Sequence, residues 1–311
     1  MDIVSVNNLV KRYGSLVALD HFDLHIKKGE IFGLLGPNGS GKTTAINCML
    51  QLLMYDKGSI ELFGEKMSPS RYDLKRKIGI VPQHVAVFEE LTVRENIDYF
   101  CGLYVSNKQE RKALVEEAIE FVGLEDFVKF RPKKLSGGLL RRLNIACGIA
   151  HKPELLFFDE PTVAVDPQSR NAILQGIVGL AKRGSTVVYT SHYMEEVEEI
   201  CTRIMIMDKG QALATGTNVE LKQMIGTGEK IQVELFDDAS AYISTLQTVP
   251  FVSNIEYRHP ELKVTYAGGN QNLHGLLEFM QNNGIAFGKI YSEPPTLNDV
   301  FLEITGKELR D

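Results

Sequence analysis

The chain has 311 residues, of which 44% are hydrophobic and 24% charged, and its formal net charge at pH 7 is −6. These fractions are typical of a globular protein with about two domains and a sizeable buried core. The acidic balance argues against a general nucleic-acid-binding protein, which normally presents a basic surface.

The first predicted elements surround a glycine-rich loop. Phe22, Leu24 and Ile26 alternate with polar residues, which predicts a half-buried strand. The apolar run at residues 31–35 predicts a buried strand, and apolar residues three or four apart within residues 44–53 predict a helix. A strand before the loop and a helix after it are the context that a phosphate-binding loop requires.

The loop itself has the complete spacing of a phosphate-binding motif. Its predicted nucleotide contacts are Gly36, Pro37, Asn38, Gly39, Ser40, Gly41, Lys42, Thr43 and Thr44. The glycines allow successive backbone N–H groups to turn toward a polyphosphate, with the positive end of the helix dipole behind them. Lys42 can reach the outer phosphates, and the Thr43 hydroxyl can ligate Mg²⁺. An accidental glycine-rich turn is the alternative, and the loop alone does not say which nucleotide-binding protein this is.

Strands and then helices follow the loop. Strands are predicted at residues 59–64 and 78–81, and the second ends at Pro82 and Gln83, where its loop is expected to enter a site. The capping-box pattern predicts the first two helices. These are residues 93–104, opened by Thr92 and Glu95, and residues 107–122, opened by Ser106 and Gln109. A third helix is predicted over residues 139–150.

Three further apolar runs predict strands at residues 155–158, 186–189 and 204–207. Strands that alternate with helices in this way indicate a mostly parallel α/β core. The three helices between the strands at 78–81 and 155–158 would then form a helical insert in that core.

The pattern changes after residues 226–230, whose glycines and polar residues predict a linker. Apolar residues then recur at strand or helix spacing in residues 231–235, 262–266, 273–280 and 297–304. Thr296 with Asp299 can cap the last of these helices, and Gly306 can end it. The segment is predicted to be a small α+β domain without a catalytic group of residues.

Two acidic residues follow the strand at residues 155–158. Asp159 and Glu160 would lie at the carboxyl end of a parallel strand, where ligands bind in open α/β sheets. Asp159 can then hold Mg²⁺ through water, and Glu160 can orient or deprotonate the water that attacks the γ-phosphate. Two surface acids at a strand end are the alternative.

Leu135, Ser136, Gly137 and Gly138 form another motif, just before the third helix. By themselves they would indicate a helix N-cap followed by a glycine turn. Their position upstream of the paired acids predicts instead a helix start that binds a second phosphate group. A phosphate-binding loop, LSGG and a strand ending in Asp-Glu, in this order, resemble the ATP-binding cassette family of ATPases.

The resemblance covers residues 2–225 and implies the fold of that family. It predicts an ATP-binding cassette over residues 1–225, with a RecA-like α/β core, an antiparallel β subdomain and a helical subdomain. Residues 226–311 would form the small C-terminal α+β accessory domain. The implied activity is ATP hydrolysis, with ATP and Mg²⁺ bound.

The resemblance also implies roles for four residues outside these motifs. Tyr13 matches the aromatic residue that stacks on adenine, and Gln83 matches the glutamine that senses Mg²⁺ and the attacking water. Asp166 matches a loop that passes signals across the dimer, and His192 matches the histidine that contacts the γ-phosphate. Taken singly, each would be an ordinary strand or surface residue. The implied Mg²⁺ ligands are Thr43, Gln83 and Asp159, and the implied catalytic residues are Glu160, His192 and Gln83.

The signature departs from the family pattern at one position, because it commonly continues with glutamine where this chain has Leu139. Ser136 and Gly138 still supply the hydroxyl and N–H groups that would bind phosphate. Hydrolysis is therefore expected, with an altered rate or altered signalling between subunits.

In this family the phosphate-binding loop of one subunit faces the LSGG segment of another. A single set of motifs therefore implies a head-to-tail pair, formed by two copies or by one copy with a related ATPase. One cassette with a C-terminal domain resembles the ATPases of bacterial drug and antibiotic exporters, which act on an integral-membrane permease. Residues 294–306 resemble the end of the daunorubicin-type ATPases in particular. The alternative is a soluble cassette protein acting on ribosomes or DNA, which normally has two cassettes or a long coiled-coil insert.

Three features bear on where the protein works. No apolar run approaches the ~18–20 residues needed to span a bilayer, and the first residues lack the pattern of a signal peptide. The four cysteines are far apart and have no CxxC spacing, which predicts reduced thiols rather than disulfides or a zinc site. They are Cys48, Cys101, Cys147 and Cys201. We therefore expect a cytoplasmic protein, peripheral on the inner face of the cell membrane, with no nucleic-acid partner.

Overall fold

The structure is a computed structural model that describes residues 2–226, 228–269 and 271–306. The chain divides into two compact units, and the boundary lies between Thr217 and Asn218. The linker predicted at residues 226–230 lies further along the chain, inside the second unit. The helix at Asn218–Gln223 packs against the last helix, Leu297–Thr305, which explains why the second unit begins earlier. Thr227, Asn270 and residues 307–311 of the predicted linker and domain lie outside the described residues.

The N-terminal unit contains strands and helices that alternate along most of its length. The strands are β1 (Asp2–Tyr13), β2 (Leu16–Lys27), β3 (Ile31–Leu35), β4 (Lys57–Leu62), β5 (Glu65–Lys66), β6 (Ile78–Val81), β7 (Leu155–Asp159), β8 (Thr186–Ser191), β9 (Arg203–Asp208) and β10 (Gln211–Gly216). The helices are α1 (Lys42–Met49), α2 (Tyr72–Lys75), α3 (Val93–Gly102), α4 (Lys108–Val122), α5 (Gly137–Ile149), α6 (Pro167–Lys182) and α7 (Met194–Ile200).

The central sheet has the strand order β10-β9-β3-β8-β7-β6. Its pairings are parallel, except that β10 runs antiparallel to β9 at the edge. A second sheet, β2-β1-β4-β5, is antiparallel throughout. The α/β core and the antiparallel β subdomain are therefore confirmed. Because parallel strands end on the same side, the segments after β3, β6, β7 and β8 meet at one edge of the sheet.

Several helices begin or end at other residues than predicted, because backbone conformation and capping set their ends. The helix predicted to reach Leu53 ends at Met49, because Gln51 takes a left-handed conformation with φ +54° that an α-helix cannot continue. The capping box of Thr92 and Glu95 is confirmed. The one at Ser106 and Gln109 was wrong, since the Asn107 side chain accepts from the N–H groups of Gln109 and Glu110 and caps α4 instead. Helix α5 begins at Gly137, two residues earlier than predicted.

Helices α3, α4 and α5 form the helical insert and share a core of their own, with Val93, Ile97 and Leu143 fully buried. The insert is tied to the sheet at His151. This side chain stacks on Tyr104 with ring centres 3.8 Å apart, and its Nε2 donates to the carbonyl oxygen of Ile78 at 3.1 Å. Burial lowers the pKa of His151, although the hydrogen bond to Ile78 opposes the shift.

This lowered pKa predicts an acid sensitivity that His151→Phe should reduce. Below the ordinary histidine pKa the unfolded chain binds a proton that the folded chain does not, so stability falls as the pH falls. Between about pH 7.5 and about pH 5.5 the wild type should lose more free energy of unfolding than the variant, by at most about 1 kcal/mol. Urea unfolding at both pH values measures this. His21→Phe is the control, since the His21 side chain is 63% exposed, and an equal effect in both variants would contradict the assignment.

The C-terminal unit is a separate α+β domain. Its elements are α8 (Asn218–Gln223), β11 (Lys230–Leu235), α9 (Ile243–Leu246), β12 (Val252–Arg258), β13 (Glu261–Tyr266), α10 (Asn272–Asn282), β14 (Phe287–Glu293) and α11 (Leu297–Thr305). The order β11-α9-β12-β13-α10-β14 is that of the ferredoxin-like split βαβ motif, and the sheet order is β12-β13-β11-β14. The predicted cap of α11 by Thr296 and Asp299 and its end at Gly306 are confirmed.

Within the part of the chain that the structure describes, no helix has both the length and the apolar character needed to cross a membrane.

Candidate functional site

The glycine-rich loop connects β3 to α1 at the carboxyl edge of the central sheet. Two of its positions tolerate only glycine. A Cβ atom at Gly36 would lie 2.3 Å from the carbonyl oxygen of Met207, and Gly41 has φ +106° with the carbonyl oxygen of Ala18 close by. Gly41 is also the N-cap of α1 and provides no side-chain cap. The first N–H groups of α1 therefore have no side-chain cap and are available to donate to an anion bound in the loop.

Lys42 is a buried cation inside this loop, with only 5% of its surface exposed. Its Nζ donates to the carbonyl oxygens of Gly36 at 2.6 Å and Pro37 at 3.1 Å. Burial lowers the pKa of Lys42, and the carboxylates of Glu160 and Asp159 oppose that shift. The Ser40 hydroxyl is also buried, without a hydrogen-bond partner among the described residues. A buried ammonium group and a free hydroxyl at a helix start fit a polyphosphate.

Asp159, the last residue of β7, lies beside the hydroxyl group of Thr43. Thr43 Oγ1 donates to the two carboxylate oxygens of Asp159 at 3.0 and 3.3 Å. Thr190 Oγ1, on the neighbouring strand β8, donates to Asp159 Oδ1 at 2.7 Å. A threonine hydroxyl and a carboxylate this close are hard oxygen donors that fit Mg²⁺, whose remaining ligands would be water and phosphate oxygens.

Glu160 is where three of the predicted residues converge. Gln83 Nε2 donates to Glu160 Oε2 at 2.9 Å, while Lys42 Nζ and His192 Nδ1 lie 3.5 and 3.4 Å from Glu160 Oε1. The glutamate is 5% exposed. Its three partners come from the loops after β6, β3 and β8, so the strand order of the sheet assembles the cluster. A buried carboxylate between an amide, a cation and an imidazole is suited to hold a water molecule and accept its proton.

Ser136 and Asp166 hydrogen-bond, among the described residues, only within the helix starts that they cap. Ser136 Oγ accepts from the N–H of Leu139 at 3.3 Å and caps α5, and Asp166 accepts from the N–H of Ser169 at 2.9 Å and caps α6. The hydrogen bonds from Ser169 lower the pKa of Asp166. Gly138 packs so closely that a Cβ atom there would lie 2.5 Å from Ser169 Oγ.

Ser136, Gly137 and Asp166 are exposed. Tyr13 is 49% exposed at the end of β1, with Lys11 Nζ 5.1 Å from its ring centre. Across residues 2–226, 228–269 and 271–306, no hydrogen bond or ring contact joins Tyr13, Ser136 or Asp166 to the Glu160 cluster. One chain therefore presents a cluster of six converging residues and a separate exposed helix start.

Sequence reasoning missed two buried polar residues, one that supports the cluster and one next to it in the fold. Thr190 anchors Asp159 and also accepts from the backbone N–H of Glu160, at 3.0 Å to its hydroxyl. Its place in the strand directly before Ser191 and His192 was the available signal. The second is Glu196, a buried carboxylate that accepts from the hydroxyls of Tyr189, Thr162 and Ser191 at 2.5, 2.9 and 3.0 Å. Nothing local in the sequence indicated that Glu196 is buried.

Comparison with known proteins agrees with this geometry. The family described as ABC transporter matches residues 19–163. The chain is 38% identical to the linearmycin resistance ATP-binding protein LnrL of Bacillus subtilis (strain 168), over 99% of this chain and 100% of that protein. It is 34% identical to the daunorubicin resistance ATP-binding protein DrrA3 of Streptomyces coeruleorubidus, over 99% and 97% of the two chains.

Among solved structures, a dimeric ATP-binding cassette in a post-hydrolysis state, bound to ADP and Pi, is similar with a TM-score of 0.63 and 28% identity. The similarity covers 69% of this chain and 98% of that one. Motif order, site geometry and these similarities agree, and the chain belongs to the ABC transporter family as an ATP-binding, ATP-hydrolysing subunit.

Proposed function

We propose that this chain powers the export of a drug, antibiotic or peptide through a separate integral-membrane permease. The main observation behind the proposal is the convergence of Gln83, Lys42 and His192 on Glu160, next to the Thr43–Asp159 pair, which supports ATP hydrolysis as the source of energy. The similarity to ATP-binding proteins of linearmycin and daunorubicin resistance supports export as the process that hydrolysis drives.

In the proposed reaction each residue of the cluster has one task. Lys42 and the N–H groups of the loop hold the phosphates, and Tyr13 stacks on the adenine. Glu160 orients and deprotonates the attacking water, while Gln83 and His192 fix the water and the γ-phosphate. Thr43 and Asp159 would hold Mg²⁺, which would supply positive charge to neutralise the phosphate oxygens.

The second half of the site would come from a second copy of the chain or from a related ATPase. Ser136, Gly137 and Asp166 are exposed, and within the described part of the chain the side chains of Ser136 and Asp166 bond only locally, which leaves the start of α5 free to meet ATP held by another subunit. The similarity to a dimeric cassette bound to ADP and Pi supports this arrangement. Closure upon ATP and release after hydrolysis would then do work on the permease, at the inner face of the membrane.

The surface proposed to meet the permease lies on the segment that follows Gln83. Phe88 and Tyr99 are 42% and 47% exposed, with ring centres 4.8 Å apart. The Phe88 N–H donates to Asn96 Oδ1 at 2.8 Å, which fixes the aromatic pair on α3. A partner bound there would contact the same loop that carries Gln83 and could change its position relative to Glu160.

Co-purification from membranes tests this function. The tagged chain should bring down a multi-span membrane protein, which mass spectrometry identifies. Phe88→Ser should lose that protein while keeping its ATPase activity, because the change removes apolar contact area from the surface and none from the cluster. Tyr72→Ser, on an exposed tyrosine of α2, is the matched control. Association with ribosomes or nucleic acid in place of a membrane protein would overturn the proposal.

A further inference from the structure

Arg141 lies between the two loops that carry Gln83 and Glu160. It projects from α5, the helix capped by Ser136, and is only 5% exposed. Its Nη1 donates to the carbonyl oxygen of Pro82 at 3.0 Å, and its Nη2 donates to the carbonyl oxygen of Glu160 at 3.1 Å. One guanidinium group therefore joins the residue before the glutamine to the glutamate itself.

Asn144 makes a second connection from the same face of α5. It lies one helical turn after Arg141, so the two side chains are neighbours. Its Nδ2 donates to the carbonyl oxygen of Pro82 at 3.2 Å, and its Oδ1 accepts from the N–H of Ala86 at 3.0 Å. The loop that contains Gln83 is thus held on both sides of the glutamine by α5.

The backbone of Glu160 needs such support. It has φ +46°, a left-handed conformation that non-glycine residues adopt only when their surroundings enforce it. The N–H of Glu160 donates to Thr190, to its carbonyl oxygen at 3.2 Å and its hydroxyl at 3.0 Å, and its carbonyl oxygen accepts from Arg141. Both ends of the residue are fixed, and Arg141 provides the only side-chain donor to its carbonyl group among the described residues.

The shape of the arginine side chain suits this task. A guanidinium group is planar and presents several N–H donors in fixed directions, whereas a lysine ammonium is a single donor atom on a flexible stem. Burial lowers the pKa of Arg141, and the neighbouring Asp159 and Glu160 oppose the shift.

We propose that Arg141 is a positioning residue that, with Asn144, aligns Gln83 and Glu160 with each other and with the start of α5. Because α5 begins at the exposed signature segment, the same side chain connects that segment to the hydrolytic cluster. The inference rests on the roles proposed above for Glu160 and Gln83.

Arg141→Lys tests the inference because it keeps the charge and removes the two-point contact. We expect the kcat for ATP hydrolysis to fall about 10- to 100-fold, since a small displacement of a catalytic group costs this much. The KM and the Kd for Mg²⁺-ATP should change less than about twofold, because no contact to the phosphate-binding loop is lost. In the double variant Arg141→Lys with Gln83→Ala, the total loss of kcat should be smaller than the product of the two single losses, since both changes act on the same loop.

Arg203→Lys is the matched control. Arg203 also makes a two-point contact, with Glu30 Oε1 at 3.0 Å and the carbonyl oxygen of His25 at 3.3 Å, remote from the cluster. Its kcat should stay at the wild-type value even if its melting temperature falls.

A wild-type kcat in Arg141→Lys overturns the inference. So does a loss of kcat that merely follows losses of melting temperature and ATP affinity. If Arg141→Lys does not fold, Asn144→Ala should show the same loss, confined to kcat. A wild-type kcat in Asn144→Ala would then overturn the inference. Glu160→Gln is measured in parallel, and if that variant still hydrolyses ATP, then the role proposed for Glu160 has failed as well.

Discussion

Glu160→Gln is expected to lower the rate of ATP hydrolysis by about 10²- to 10⁴-fold without weakening ATP binding. Glutamine has nearly the same shape and can still accept the hydrogen bond from Gln83, but it cannot take the proton of the attacking water. Phosphate release measures the rate, and a titration with Mg²⁺-ATP measures the affinity. Because hydrolysis would release the closed pair, the variant should also accumulate as an ATP-bound dimer, which size-exclusion chromatography detects.

Glu154→Gln is the control for this change. Glu154 directly precedes the same strand, β7, at its opposite end, and its side chain is 47% exposed, 3.6 Å from Lys28 Nζ. We expect wild-type hydrolysis in this variant. A Glu160→Gln protein that remains monomeric in excess ATP would contradict the proposed cycle, and one that hydrolyses at the wild-type rate would contradict the role of the glutamate.

Lys42→Met should weaken ATP binding about 10- to 100-fold, the expected loss when a charge-assisted hydrogen bond to phosphate is removed. The melting temperature of the nucleotide-free protein should change much less than the melting temperature in the presence of Mg²⁺-ATP. Burial lowers the pKa of Lys42, which means that its charge is held at a cost in the absence of a phosphate partner. Melting temperatures with and without Mg²⁺-ATP separate the two effects, since only bound nucleotide raises the value.

Lys28→Met serves as the control, because the Lys28 side chain is 65% exposed and precedes β3, at the end of that strand opposite the loop. The prediction fails if ATP stabilises Lys42→Met as much as it stabilises the wild type. It also fails if the nucleotide-free variant is unfolded, because Lys42 would then be a structural residue.

Much of the fold could be predicted because its signals are local. The strands at β3, β6, β7 and β8 are short apolar runs, and the capping box of Thr92 and Glu95 is set by residues three apart. Errors arose where neighbouring residues offer competing caps, as at Ser106 and Asn107. Strands β12 and β14 were missed because much of their surface is exposed, so the alternation that marks a half-buried strand is weak.

The sequence by itself determined that this chain has a phosphate-binding loop, a strand ending in Asp159 and Glu160, and an LSGG segment before a helix. Each depends on backbone geometry and hydrogen bonds within a few residues. Only the tertiary structure decided that Gln83 meets Glu160, 77 residues away, and that Arg141 fixes both. The order of strands in the sheet differs from their order in the chain. For that reason, which loops become neighbours depends on long-range strand pairing, and no local pattern contains that information.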